Sequence, residues 1–163
     1  MQLTKRNIVM LQIRTSKPAD ITRTYEIWRT SVEATHHFLS PLHFLQIDDL
    51  VRNSYLPSVE LLLAVNDQDI AHGFMGSTND QIDALFVHAD SRGKGIGRFL
   101  VDHMRKSRSE VTVDVNEQNV SGCGFYRRLG FLPVGRSETD VQNLPYPLLH
   151  LRWTHKQAVP PQA

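Results

Sequence analysis

The sequence predicts an α/β fold (α+β in some schemes), a mixed sheet with helices on its faces. Three observations lead there. Seven segments have strand character and four have helical character. Their order is a strand and two helices, then hairpins, then strand-helix-strand-helix-strand. The chain is 163 residues long and 40% hydrophobic, enough for one domain with a real core. We expect that domain to span residues 1–155 and the polar, Pro160-Pro161-containing tail at 156–163 to fray.

The elements follow in order. Val9 to Thr15 ("VMLQIRT") is a first strand. Pro18 opens a helix at its first turn, and Ile21, Tyr25, Trp28 and Val32 recur at helical spacing. After the turn "ATHHFLSP", a second helix carries Phe44, Leu45, Ile47, Leu50 and Val51 until Pro57 stops it. Glu60 to Asp67 is a continuous apolar run, as suits a strand covered on both faces. A turn at Asn66 to Asp69 leads into "DIAHGFMGS", and Asn79-Asp80 leads into "QIDALFVHAD". Ile96, Leu100, Val101 and Met104 form one face of the next helix, with Asp102, Arg105 and Lys106 on the other. "EVTVDVNE" alternates valines with Thr112, Asp114 and Asn116. "NVSGCGFYRRLG" is a short helix ended by Gly130, and "FLPVGR" and "PYPLLHLRW" close the chain as strands.

Composition narrows the function. A net charge of +1 gives no general attraction to nucleic acid or acidic membrane, so any anion site is local. No apolar run approaches the roughly 18 residues of a membrane span, and the basic start lacks a cleavage signature. Cys123 is the only cysteine, which excludes an internal disulfide and fits a reducing cytoplasm. None of the eight histidines falls in a metal-binding pattern such as His-Glu-x-x-His, so no metal is expected.

The local anion site is "HADSRGKGIGRFL". Gly93, Gly95 and Gly97 alternate with Arg92, Lys94, Ile96 and Arg98 between a strand and a helix. A helix start exposes unpaired N–H groups, and glycines let an anion approach the backbone. A nucleotide-triphosphate loop needs Gly-Lys-Ser/Thr, and here Gly95 follows Lys94. A dinucleotide fingerprint needs a different glycine spacing. Arg92 to Gly97 fits a third pattern, Arg/Gln-x-x-Gly-x-Gly/Ala.

With that pattern the chain resembles the GNAT superfamily of acyl-CoA-dependent N-acyltransferases. "LFVHADSRGKGIGRFLVDHM" resembles its coenzyme A motif, and "VNEQNVSGCGFYRRLGF" its later strand, short helix and Tyr-x-x-x-Gly-Phe. "SVEATHHFLS", "VNEQN", "GFYRRLGF" and "GRSETD…PYPLLHL" resemble the small bacterial acetyltransferases of the YjaB group. The resemblance implies a mostly antiparallel sheet of about seven strands, splayed in the middle, and direct acetyl transfer from acetyl-CoA to a primary amine. The acceptor is a small molecule, a protein lysine or a protein N-terminus, and a homodimer is compatible with the family. A non-catalytic acyl-CoA-binding module on the same fold is the alternative.

The resemblance also assigns residues. The pantetheine arm pairs with backbone at Leu85, Phe86 and Val87, with an N–H near Phe86 or Val87 for the oxyanion. The pyrophosphate meets Arg92, Gly93, Lys94, Gly95, Ile96, Gly97 and Arg98. Asn116 contacts the pantetheine amide or a water near the acetyl group; Asn119 contacts the cofactor or caps the helix. Tyr126 is the general acid or orients the thioester, and its phenol can donate a proton at neutral pH. The base is open among Glu33, His36, Asp83, Asp114 and Glu117, with His36 and Glu117 taken as catalytic candidates. Trp28, Thr35, His36 and Asp83 are expected at the acceptor, with Tyr25, Phe38 and Tyr146 as further wall candidates. Cys123 is a small buried residue or, on a ping-pong route, a nucleophile.

Overall fold

Seven strands form one sheet in the order β1-β2-β3-β4-β5-β7-β6. They are β1 (Gln12–Thr15), β2 (Leu62–Val65), β3 (Ala71–Thr78), β4 (Gln81–Val87), β5 (Glu110–Asn116), β6 (Leu132–Ser137) and β7 (Leu148–Thr154). The structure, a computed structural model, describes residues 10–155. The start of the expected first strand at Val9 and the expected fraying at 156–163 therefore lie outside the described residues. Every neighbouring pair is antiparallel except β4 and β5.

Turn chemistry fixes the hairpins. Asn66 Oδ1 accepts from the N–H groups of Gln68 and Ile70, closing the β2–β3 turn. Asn79 takes φ 52° between β3 and β4, a conformation that asparagine tolerates better than most residues. In β5, Val111, Val113 and Val115 are buried on one face, as the alternation predicts. β2 is covered on both sides: Leu63 packs with one core and Ala64 with the other.

Helices flank both faces. α1 (Ile21–Thr35) joins Ile27, Trp28 and Val32 to Leu63 and Phe74 on one face. α4 (Ile96–Arg105) and α5 (Val120–Arg128) join Leu100, Val101 and Tyr126 to Val111, Val113 and Phe131 on the other. α2 (Pro41–Leu50) is capped by Ser40, whose hydroxyl accepts from the His43 N–H at 3.2 Å. Its end differs from expectation. The helical path runs through a widened π turn (Val51–Tyr55) into α3 (Leu56–Ser58), which contains Pro57. A proline ring clashes with the carbonyl four residues back, and the widened turn accommodates it without breaking the path. The last strand also starts later, at Leu148, because Pro147 and Pro145 lack the N–H that a ladder needs.

Candidate active site

Ile82 opposite Val113 is the last pair of the parallel ladder, which holds only Gln81–Thr112 and Ile82–Val113. Beyond it β4 and β5 separate. A bulge in the β3–β4 register leaves Asp83 without a partner between Ile82 and Ala84. The His88 N–H donates to the His72 carbonyl on the β3 side at 2.8 Å. Amide directions alternate along a strand, so the N–H groups of Val87 and Leu85 face the opposite edge, into the gap.

The gap opens into a cleft of about 660 Å³. Its walls come from α1 (Ser31 and Thr35) with His36, from β4 (Ile82 to Val87), from β5 (Val113 to Asn116), from Ser91 to Gly93 and the first turn of α4, and from α5. Of the expected residues the cleft brings together Leu85, Phe86, Val87, Arg92, Gly93, Gly95, Ile96, Gly97, Arg98, Asn116, Asn119, Tyr126, Thr35, His36 and Asp83. Lys94 is exposed and stands off the cleft wall.

The three glycines have two different causes. Gly93 and Gly95 take φ 74° and 80°, and a Cβ at either would meet nothing within 4 Å, so the space in front of this backbone is open. Gly97 has ordinary helical backbone, but its Cβ would lie 3.1 Å from the Phe125 ring, so it lets α4 approach α5. Phe99 N–H closes the first helical bond, to Gly95 at 2.9 Å. The earlier amides of α4 are therefore free of intrahelical partners and sit beside Arg92 and Arg98. An open, positive, glycine-lined turn fits a pyrophosphate.

Tyr126 is 6% exposed, packs edge-on against Phe125 and Phe131, and makes no hydrogen bond among the described residues. Burial pushes its phenol well above the usual range. Asn119 accepts from the Gly122 N–H at 3.0 Å, so it caps α5 while lining the cleft.

The base candidates separate. Glu117 is exposed and off the cleft: Arg136 donates to both its oxygens at 2.9 and 3.0 Å and holds the carboxyl below the usual carboxylate range. That removes it as the expected base. Glu33 is likewise exposed and paired with Arg29 at 2.7 Å. His36 lies in the cleft, yet burial lowers it to about 4, with His37 adding to the shift. The Thr35 hydroxyl donates to the Ser31 carbonyl at 2.8 Å, so it accepts from His36 Nδ1–H at 2.7 Å and leaves Nε2 with the lone pair. Asp83 and Asp114 line the cleft from its two lips, on β4 and β5. Thr78 donates to Asp83 at 2.5 Å; burial and Asp83 together push the Tyr55 phenol up to about 12.

Other expectations need correction. Trp28 is 3% exposed and stacked between Tyr25 and Phe44, so it belongs to the core and not to an acceptor wall. Tyr25 accepts from Arg29 and Arg52 and donates to Asp48, tying α1 to α2. Tyr146 is buried, with its hydroxyl at His43 Nδ1 (2.5 Å) and the Ser40 N–H (3.1 Å), and Phe38 packs on it. Both lie off the cleft wall. Cys123 is also off the wall, its thiol directed to the Asn116 carbonyl and pushed up by burial, which disfavours a thiolate nucleophile. Ser31, Phe125 and Arg128 line the cleft and were not anticipated. Ser31 lies in "SVEATHHFLS" and Phe125 and Arg128 in "GFYRRLGF", but which side chains of those stretches meet a cleft becomes legible only once the helices are placed.

The comparisons with known proteins agree with this geometry. The family model for the acetyltransferase (GNAT) domain matches residues 57–133. The chain is 45% identical to the peptidyl-lysine N-acetyltransferase YjaB of Salmonella typhimurium, over 88% of this chain and 98% of that one. The solution structure of apo YjaB from Escherichia coli superposes with a TM-score of 0.83 at 45% identity, covering 88% of this chain and 97% of the other. The PaiA N-acetyltransferase of Thermoplasma acidophilum, crystallised with coenzyme A, shares the fold at a TM-score of 0.69 and 19% identity, over 90% of this chain and 99% of that one.

Proposed function

The chain belongs to the GNAT acetyltransferase family, and on that premise we propose that its acceptor is the side-chain amine of a protein lysine. It is an acetyl-CoA-dependent N-acetyltransferase; the choice of lysine among amines is the proposal. The observation that carries it is the pair of carboxylates, Asp83 and Asp114, on opposite lips of the cleft. A lysine ammonium on its long stem reaches between two such groups and is held there by charge. The relatives named as peptidyl-lysine N-acetyltransferases support the same acceptor.

The cosubstrate supplies an activated thioester. Its pyrophosphate suits the turn from Arg92 to Gly97, and its pantetheine arm suits the free edge of β4, where Leu85 and Val87 offer N–H groups. Of these the Val87 N–H is our candidate for the oxyanion. Asn116 and Asn119 face the arm from β5 and the start of α5. Tyr126 keeps its proton at neutral pH and gives it to the departing sulfur. Dry surroundings weaken the phenol as an acid, but they raise the basicity of a thiolate too, so the transfer stays matched. His36 with a value of about 4 is a poor proton acceptor, and we assign it to the acceptor wall.

The test is acetylation of lysine peptides, measured by mass spectrometry against lysine-free peptides with free N-termini and against small primary amines. Acetylation confined to lysine Nζ is the expected result. Turnover of N-termini or small amines in preference to lysine overturns the reading.

A further inference from the structure

We propose that Asp114 takes the acceptor ammonium's proton and that a Ser137–His150–Asp114 chain holds it for that task. The inference deepens the lysine reading and rests on it for the acceptor. Asp114 on β5 and His150 on β7 are directly opposed in register. His150 Nδ1 lies 2.5 Å from Asp114 Oδ1, and its Nε2 lies 2.6 Å from Ser137 Oγ on β6. A carboxylate oxygen accepts, so Nδ1–H donates to Asp114, and Nε2 shares a hydrogen bond with the Ser137 hydroxyl. One ring is thus pinned at both nitrogens across three strands.

The backbone makes room for it. Gly135 sits opposite His150 in the β6–β7 register, beside a bulge between Pro133 and Gly135. A Cβ at Gly135 would lie 3.3 Å from His150 Cδ2, so the glycine clears the slot in which the imidazole lies. Among the described residues, the second carboxylate oxygen, Oδ2, has only the distant Gln81 amide at 3.5 Å. Asp114 therefore keeps one weakly engaged oxygen, among the described residues, in the cleft it lines with Tyr126. Glu33 and Glu117 are held by arginines outside the cleft. Asp83, the other cleft carboxylate, is held by a neutral hydroxyl from Thr78. It serves as the charge on the opposite lip.

The protons balance. The ammonium gives one proton to Asp114, which later releases it to water. The neutral nitrogen attacks, the C–N bond forms and the C–S bond breaks. The second nitrogen proton, acidic once the bonded nitrogen carries the positive charge of the tetrahedral adduct, replaces the proton that Tyr126 gives to sulfur. His150 never touches the acceptor; it is a positioning residue that orients Asp114.

The experiment compares Asp114→Asn, Asp83→Asn, His150→Ala and His150→Gln on whichever amine the wild type turns over, with acetyl-CoA affinity measured by calorimetry. Asp114→Asn should lower kcat about a hundredfold or more, the range of a lost general base, with acetyl-CoA affinity unchanged. Asp83→Asn should raise the acceptor KM with a smaller effect on kcat. His150→Ala should lower kcat, and His150→Gln, whose amide can still donate to Asp114, should recover much of it. Proton NMR should show a downfield imidazole N–H in the wild type that Asp114→Asn abolishes. Three results overturn the proposal: Asp114→Asn with kcat within about threefold of wild type, Asp114→Asn that also loses acetyl-CoA binding, or kcat loss in Asp83→Asn alone. A wild type active on small amines but not on lysine sinks the lysine reading, and the Asp114 comparison on that amine still decides this one.

Discussion

Ile82 and Val113 form the last parallel pair between β4 and β5, and beyond Ile82 the two strands separate. The N–H groups of Leu85 and Val87 face that gap, whereas those of Phe86 and His88 face β3. Hydrogen exchange followed by NMR should read this alternation. Without ligand, Leu85 and Val87 amides exchange fast and the Phe86 amide is protected. Saturating acetyl-CoA should slow Leu85 and Val87 and leave Phe86 nearly unchanged. Equal protection of all three before ligand is added would show that the gap is closed.

Gly95→Trp should separate binding from folding. The position has φ 80° and open space in front of it. A non-glycine residue there costs about 1–2 kcal/mol, which lowers Tm by several degrees but leaves the protein folded. The indole would fill the open space that we propose for the pyrophosphate. Calorimetry should show acetyl-CoA affinity at least about tenfold weaker, a loss of roughly 1.4 kcal/mol or more. Unchanged affinity would remove the turn from the cofactor site.

Tyr126→Phe tests the acid. The hydroxyl has no hydrogen-bond partner among the described residues, so its removal orphans nothing. Stability should stay within about 0.5 kcal/mol and acetyl-CoA affinity should hold, while kcat falls about a hundredfold or more. A kcat within threefold of wild type would leave Tyr126 a packing residue of α5.

How far the sequence alone reaches depends on the kind of signal. The alternation of Val111, Val113 and Val115 and the glycines at 93, 95 and 97 are local patterns, and local patterns set strands and turns directly. The resemblance then assigns Tyr126 and Asn116, and both line the cleft. Trp28 was misplaced because a helical stripe gives the buried face without saying whether core or cleft lies opposite. Glu117 was misplaced because its partner, Arg136, is 19 residues away on another strand. His150 sits in the quoted stretch "PYPLLHL", yet nothing local to it points to Asp114. Its meeting with Asp114 depends on β7 inserting between β5 and β6, a choice of strand order that no window of sequence contains.

His36 should make stability pH-dependent in a defined window. Burial lowers its folded value from 6.5 to about 4, so the folded state holds the ring neutral where the unfolded chain has already bound a proton. The unfolded state therefore binds more protons between those two values, and stability rises with pH across that interval. The contribution is fully present above about 6.5, is lost progressively as pH falls, and is gone below about 4. Carboxylates held low by arginine, such as Asp20 beside Arg14, lose their contribution only as pH falls below the ordinary carboxylate range. Urea denaturation between pH 7 and 4 should thus give a falling unfolding free energy in the wild type. His36→Gln keeps a polar group near Thr35 but cannot titrate, and should flatten the upper part of that fall. An unchanged slope in His36→Gln would show that the ring is solvated and titrates normally.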